Sequence, residues 1–253
     1  MAKKKVKRKL KIKGLILILL IIYLLVMLFV AIFNLKIKAV IINGNKVLTT
    51  EEIKKEVNLK KDEKFLTLNT IKIKNKLLKN KMIEDVTIKK SLKGVITINI
   101  KEEKILFYNK PNNTYVLGSG ETIGNNSNIL GVPTLINYVP GDIYKELIKK
   151  SKKLDADVIK NISEIEYKPD TKDNIVFDEN RFILKMNDGN TVYINTANYL
   201  KLNDYKKLYQ ATIENGEIKK GVFYLYSLRD DAVLFTDYNN LKKGEEGEQI
   251  ELP

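Results

Sequence analysis

The chain has 253 residues, a formal charge of +14, and neither histidine nor cysteine. Those absences remove the commonest general base, thiol nucleophiles, disulfides and most transition-metal sites, so any folded domain must be held by core packing alone. Eight of the positive charges lie between Lys3 and Lys13, leaving +6 for the rest, which is too little for a nucleic-acid footprint.

Residues 1–14, MAKKKVKRKLKIKG, form a basic tail, and Leu15 to Phe33 follow as nineteen uncharged apolar residues. A helix rising about 1.5 Å per residue spans ~28 Å over that run, close to the ~30 Å hydrocarbon core of a bilayer, which predicts one transmembrane helix over 15–33. A cleaved signal peptide also starts basic, but its apolar core runs to about 15 residues at most. In addition, Phe29-Val30-Ala31 puts a large residue where cleavage needs a small one. Only Lys36 and Lys38 flank the far end, and positive charge stays on the cytoplasmic side, so the C-terminal part is expected outside the cytoplasm. The tail is thus a topogenic signal in contact with anionic lipid.

From residue 36 to 104 the pattern reads strand, helix, helix, strand, strand. Ala39-Val40-Ile41-Ile42 is stopped by Asn43-Gly44-Asn45, residues that tolerate positive φ. Thr49 and Glu52 have capping-box spacing, with Ile53 and Val57 on one face of a helix ending near Asn58. Ile73, Leu77 and Leu78 mark the buried stripe of a second helix. Val86 and Ile88, then Ile96, Ile98 and Ile100, keep period two around Lys93-Gly94, predicting a hairpin with one buried face.

Residues 105–238 are mainly strands: Ile105 to Tyr108, Thr114 to Leu117, Arg181 to Met186, Thr191 to Ile194, Val222 to Tyr226 and Ala232 to Phe235. Asn187-Asp188-Gly189 between two alternating runs signals a hairpin. Helices are expected near 142–153 and 202–214. The fold class is α+β: one transmembrane helix, a β-α-α-β-β domain, and a second, mostly antiparallel β-sheet domain with helices. The polar tail 239–253, with Glu245, Glu246, Glu248 and Glu251, is expected to be disordered.

No catalytic constellation stands out, and neither cofactor nor metal is expected. Asp155 with Asp157, or Asp230 with Asp231, read as solvated turn carboxylates before they read as an acid-base pair for a glycan. Gly118-Ser119-Gly120 lacks the Gly-Lys-Ser/Thr ending of a phosphate loop and reads as a turn. Tyr199, Tyr205, Tyr209, Tyr224, Tyr226 and Tyr238 gather near the C-terminal end. Each taken singly reads as core, yet as a group on a late strand at a sheet edge they are the interface candidates.

Ile42-Asn43-Gly44-Asn45, Thr49-Thr50-Glu51-Glu52-Ile53, Leu77-Leu78, Ile83-x-x-Val86 and Ile96-x-Ile98-x-Ile100-x-Glu102 follow, in order, the pattern of the FtsQ-type POTRA domain. Standing after a single anchor with a basic tail, they make the chain resemble the FtsQ/DivIB cell-division family. Lys81 and Lys93 replace frequent prolines of that pattern, and Glu103 a frequent Arg. More loosely, Val132-Pro133-Thr134-Leu135 and Gly221-Val222 with Tyr226 resemble the family's later steps.

The resemblance implies a non-enzymatic, membrane-anchored scaffold at the division septum. It would bind FtsB/DivIC-like and FtsL-like single-pass coiled-coil proteins, with a septal peptidoglycan synthase as a further partner and septal peptidoglycan synthesis as the process influenced. Strand addition is the expected mode, since a terminal strand has unpaired backbone groups. The family's docking position carries over to Val222, Tyr224, Tyr226 and Phe235. An extracytoplasmic chaperone or envelope-assembly factor is the alternative, because POTRA units elsewhere handle chains by β-augmentation.

Overall fold

The computed structural model describes residues 12–59, 63–91, 93–125, 128–173, 175–214, 217–226 and 233–245. The chain divides into two compact units with the boundary between Glu102 and Glu103.

The first unit opens with helix α1, Ile12–Phe33, which is exposed throughout and is, among the described residues, the one helix long and apolar enough to cross a membrane. It is already helical at Ile12, three residues ahead of the expected start. Lys is a good helix former whose stem lies along apolar surface while its charge reaches out, so Lys13 does not end the helix. Strand β1, Ala39–Asn43, is followed by α2, Thr50–Val57, α3, Thr70–Leu77, β2, Ile83–Ser91, and β3, Val95–Glu102. The strands order β1-β3-β2, with β1 parallel and β2 antiparallel to the central β3.

Each join in this unit has a local cause. Gly44 sits at φ +87°, and a Cβ there would lie 2.1 Å from the carbonyl oxygen of Ile100, so only glycine fits. The Thr49 hydroxyl accepts from the Glu52 amide while the Glu52 carboxylate accepts from the Thr49 amide, the reciprocal cap expected of that spacing. Asn58 ends α2 in the left-handed region. The Glu102 carboxylate accepts amide hydrogens from Lys46, Val47 and Leu48 at 2.8 to 2.9 Å, tying the end of β3 to the loop after β1. Ile53, Val57, Ile73 and Leu77 of the helices are buried, as are Val86, Ile96, Ile98 and Ile100 of the sheet. Leu78 does not belong to that stripe: it caps α3 and is 38% exposed, because the helix ends one residue earlier.

The second unit begins with β4, Ile105–Asn109, β5, Thr114–Leu117, β6, Thr122–Gly124, and β7, Thr134–Leu135. Helices α4, Gly141–Lys152, and α5, Ala156–Asn161, precede β8, Ile162–Tyr167, and the hairpin β9, Asp170–Lys172, with β10, Ile175–Asp178. Then come β11, Arg181–Met186, β12, Thr191–Asn195, a 3-10 turn, Tyr199–Asp204, and α6, Tyr205–Gln210. The short β13, Ile213–Glu214, and β14, Glu217–Ile218, lead to β15, Gly221–Tyr224, β16, Leu234–Asp237, and α7, Tyr238–Glu245.

Nine strands form one sheet in the order β16-β15-β12-β11-β8-β7-β4-β5-β6. The pairs β12/β15, β7/β8 and β4/β7 are parallel and the other five antiparallel, so the sheet is mostly antiparallel. One face is covered: Leu147 of α4, Tyr199 and Leu202 of the 3-10 turn and Tyr205 of α6 join Phe182, Leu184, Val192 and Phe223 of the sheet in one core.

Several expectations shift here. The run 202–214 is no single helix, since a 3-10 turn precedes α6 and the chain is extended again at Ile213. The strand expected to reach Tyr226 stops at Tyr224, and the one expected over 232–235 runs Leu234–Asp237, with Ala232 outside the described residues. Residues 239–245, expected to be disordered, continue α7. Tyr238 at the start of that helix is tied down: its hydroxyl bonds that of Thr191 at 2.9 Å and donates to the Gly189 carbonyl at 3.2 Å. Local anchoring of the first turn thus outweighs the polar composition that follows.

Candidate interaction site

The C-terminal end of the large sheet is where the sequence-derived site residues fall. Strand β15 lies between β12 and β16, so it is an inner strand, and the sheet ends at β16. The four candidates split between the two faces. Val222, 5% exposed, and Tyr224, half-buried, lie on the face opposite α4, the 3-10 turn and α6. Phe235, paired in register with Phe223, packs on the helix side with ring centroids 4.7 Å apart. Tyr226 lies two residues past the end of β15, half-buried, edge-on to Tyr224 at 6.1 Å.

Residues outside the expected set complete this face, where Thr191, in register with Val222, holds the hydroxyl of Tyr238 at the start of α7. Tyr193 of β12 pairs in register with Tyr224, and their rings stack at 5.3 Å. The Arg181 guanidinium lies 5.6 Å from the Tyr193 ring centroid, held by Asp170 at 3.0 Å and by the Lys168 carbonyl. Leu234 on the terminal strand, opposite Tyr224, is 47% exposed. The sequence signal for Tyr193 was present in the alternating run Thr191 to Ile194, but the pairing that brings it against Tyr224 is non-local.

Burial raises the Tyr224 hydroxyl pKa, with the neighbouring Tyr193 and Tyr226 adding to it. Burial likewise raises Tyr226, against an opposing pull from Arg181. Both phenols therefore remain neutral across physiological pH and retain a hydrogen to donate. The patch offers aromatic area, three tyrosine hydroxyls and, among the described residues, one unshared strand edge, a set suited to binding a polypeptide.

A polar network sets the register of this end. Asn190, 1% exposed, donates to the Tyr205 hydroxyl oxygen and accepts from the Gly221 amide, both at 2.9 Å. Tyr205 in turn donates to the Asp188 carboxylate at 2.8 Å. The turn after β11 is thereby bonded to α6 and to the first residue of β15. A Cβ on Gly221 would stand 2.1 Å from the Thr236 carbonyl oxygen, so glycine is what permits β16 to close on β15. Tyr199 and Tyr205, counted among the clustered tyrosines, are core residues at 0% and 3% exposure. Asp155 and Asp157 are exposed near the start of α5, and Asp230 and Asp231 lie outside the described residues.

Residues 35–103 match the family described as POTRA domain, FtsQ-type. The cell division protein DivIB of Listeria monocytogenes is 30% identical over 192 residues, covering 74% of this chain and 68% of that protein. DivIB of Bacillus subtilis is 30% identical over 195 residues, covering 75% of this chain and 71% of that protein. The solved major extracytoplasmic domain of the trans isomer of DivIB from Geobacillus stearothermophilus aligns at 24% identity with a TM-score of 0.35, covering 45% of this chain and 99% of that one. On the extent of the two sequence matches, the chain belongs to the DivIB family of cell division proteins.

Proposed function

We propose that this chain is a non-enzymatic scaffold of the division machinery, anchored by α1 with its second unit outside the cytoplasm. It receives a strand from an FtsB/DivIC-like partner at the β16 edge, works alongside an FtsL-like protein, and influences septal peptidoglycan synthesis without performing chemistry. The observation that carries the reading is the position of β16: among the described residues it ends a nine-stranded sheet and is paired through β15 on one side only. Unpaired N–H and C=O groups on such an edge are satisfied by an added strand. The stacked Tyr193 and Tyr224, with Tyr226 beside them, then supply side-chain contact on one face.

The test is calorimetry of the full chain in lipid nanodiscs against the exterior segment of a DivIC-like partner. Tyr226→Ala is expected to weaken binding by about 2 kcal/mol, roughly thirtyfold. Circular dichroism checks that the variant stays folded. A folded variant that bound as tightly as wild type would displace the site, and a wild-type chain that bound no such partner would remove the scaffold reading.

A further inference from the structure

The mild average charge of the chain beyond its tail conceals a division that follows the unit boundary. Residues 36–102 hold seventeen lysines against eight acidic residues, whereas residues 103–253 hold twenty Lys and Arg against twenty-three acidic residues. The POTRA unit is therefore strongly basic and the second unit slightly acidic. The basic unit is also the one joined directly to α1.

That join is short and strapped. Only residues 34–38 separate the end of α1 from the start of β1, a reach of about 17 Å even when fully extended. The segment is also bonded to the domain on two sides. The Phe65 amide donates to the Leu35 carbonyl at 2.8 Å, Lys36 bridges to Lys64, and the Lys38 amide donates to the Gly94 carbonyl at 2.8 Å. The Lys64 ammonium stands 5.1 Å from the ring centroid of Phe33, the last residue of α1. The Lys93-Gly94 turn lies against Lys38, whose Cγ would be 3.1 Å from a Cβ on Gly94. Exposed Lys38, Lys64 and Lys93 thus come together where the apolar helix ends, with Glu63 the acidic residue adjoining them in the chain.

We infer that these lysines form a collar that seats the POTRA unit on anionic phospholipid headgroups of the membrane its own helix enters. The inference rests on the reading of α1 as a transmembrane anchor. Headgroups occupy a layer only about 5 to 7 Å thick beyond the hydrocarbon, and charges interact over a Debye length of about 8 Å. A collar hydrogen-bonded to the segment just after the helix lies within both. Lipid is favoured over an anionic polymer or a protein because the helix itself delivers the collar to a bilayer surface. Docking there would limit the swing of the POTRA unit about its short linker.

The chain has no cysteine, so Ser91→Cys, close to the collar, accepts a single fluorophore. The labelled full chain is reconstituted into pure phosphatidylcholine vesicles and into vesicles containing phosphatidylglycerol, and quenching by a headgroup spin-labelled lipid is read in each. Quenching is expected to be several-fold stronger in the anionic vesicles. It should fall to the neutral-vesicle level in high salt and in the K38Q/K64Q/K93Q variant, whose folding is checked by circular dichroism. Equal quenching in the two vesicle types, or unchanged quenching in the triple variant, overturns the collar while leaving the anchor in place. Failure of the wild-type chain to float with vesicles of either kind brings down the anchor reading and the collar with it.

Discussion

Tyr199 shows how a single residue type serves two ends in this chain. Its ring is fully buried, edge-on to Phe182 at 6.4 Å, and burial pushes its hydroxyl up to about 12, the Ser151 hydroxyl pulling weakly the other way. Because the folded-state value lies above the unfolded value near 10, the folded state keeps its proton longer as pH rises. The associated stability is whole below pH 10 and is lost between about pH 10 and 12. Tyr144, Tyr167, Tyr205, Tyr224 and Tyr226 are raised by burial as well and act in the same sense. Chemical denaturation of the full chain across that interval should therefore show falling stability. Tyr199→Phe keeps the ring and should make the fall shallower by on the order of 2 kcal/mol, with little change at pH 7. An identical alkaline profile in the variant would mean that Tyr199 is not held neutral by the core. By contrast, Tyr224 and Tyr226 are only half-buried at the end of the sheet, where neutral hydroxyls would serve the proposed partner.

At the scale of elements, the POTRA sheet stands on Ile98, which is 0% exposed and lies in register between Ile42 of β1 and Ile88 of β2. Ile98→Asp would bury a carboxylate between Ile42 and Ile88, at a cost of several kcal/mol, comparable to the whole stability of a small domain. Amide exchange of the full chain should lose protection across β2 and β3 while the large sheet keeps its own; retained protection in β3 would refute the register. This register was readable beforehand because Ile96, Ile98 and Ile100 alternate without interruption, just as the Thr49-Glu52 cap and the turn at Gly189, with φ +92°, rest on contacts a few residues apart. Strand β7 is two residues long and β6 three, too short for any period to register. The inner position of β15 was equally hidden. It depends on a parallel pairing with β12 made across an intervening helix and small hairpin, and on the later return of β16. Hence the family resemblance carries Val222, Tyr224, Tyr226 and Phe235 over as one set. Their division between two faces, and the arrival of Tyr193 and Arg181 beside them, follow from long-range pairing that local patterns do not encode.

For the whole molecule, the decisive asymmetry is the one across α1. Eight Lys and Arg stand between Lys3 and Lys13, whereas only Lys36 and Lys38 closely follow the helix in sequence. The short N-terminal segment is the one to which the retention of positive charge applies, because long domains translocate largely regardless of their charge. The many lysines of the POTRA unit therefore do not compete with the tail, and the proposed collar of Lys38, Lys64 and Lys93 would lie at the opposite membrane surface. Orientation and surface docking are in this way consistent with each other, even though both use lysine. The expected outcome is that protease added to intact protoplasts removes the chain beyond Lys36 and spares the basic tail, read with antibodies against each end. Detergent should then expose the tail to the same protease. Cleavage within Lys3 to Lys13 from outside, before detergent, would reverse the orientation. The large sheet would then lie in the cytoplasm, and a partner whose docking segment is extracytoplasmic would have no access to the β16 edge.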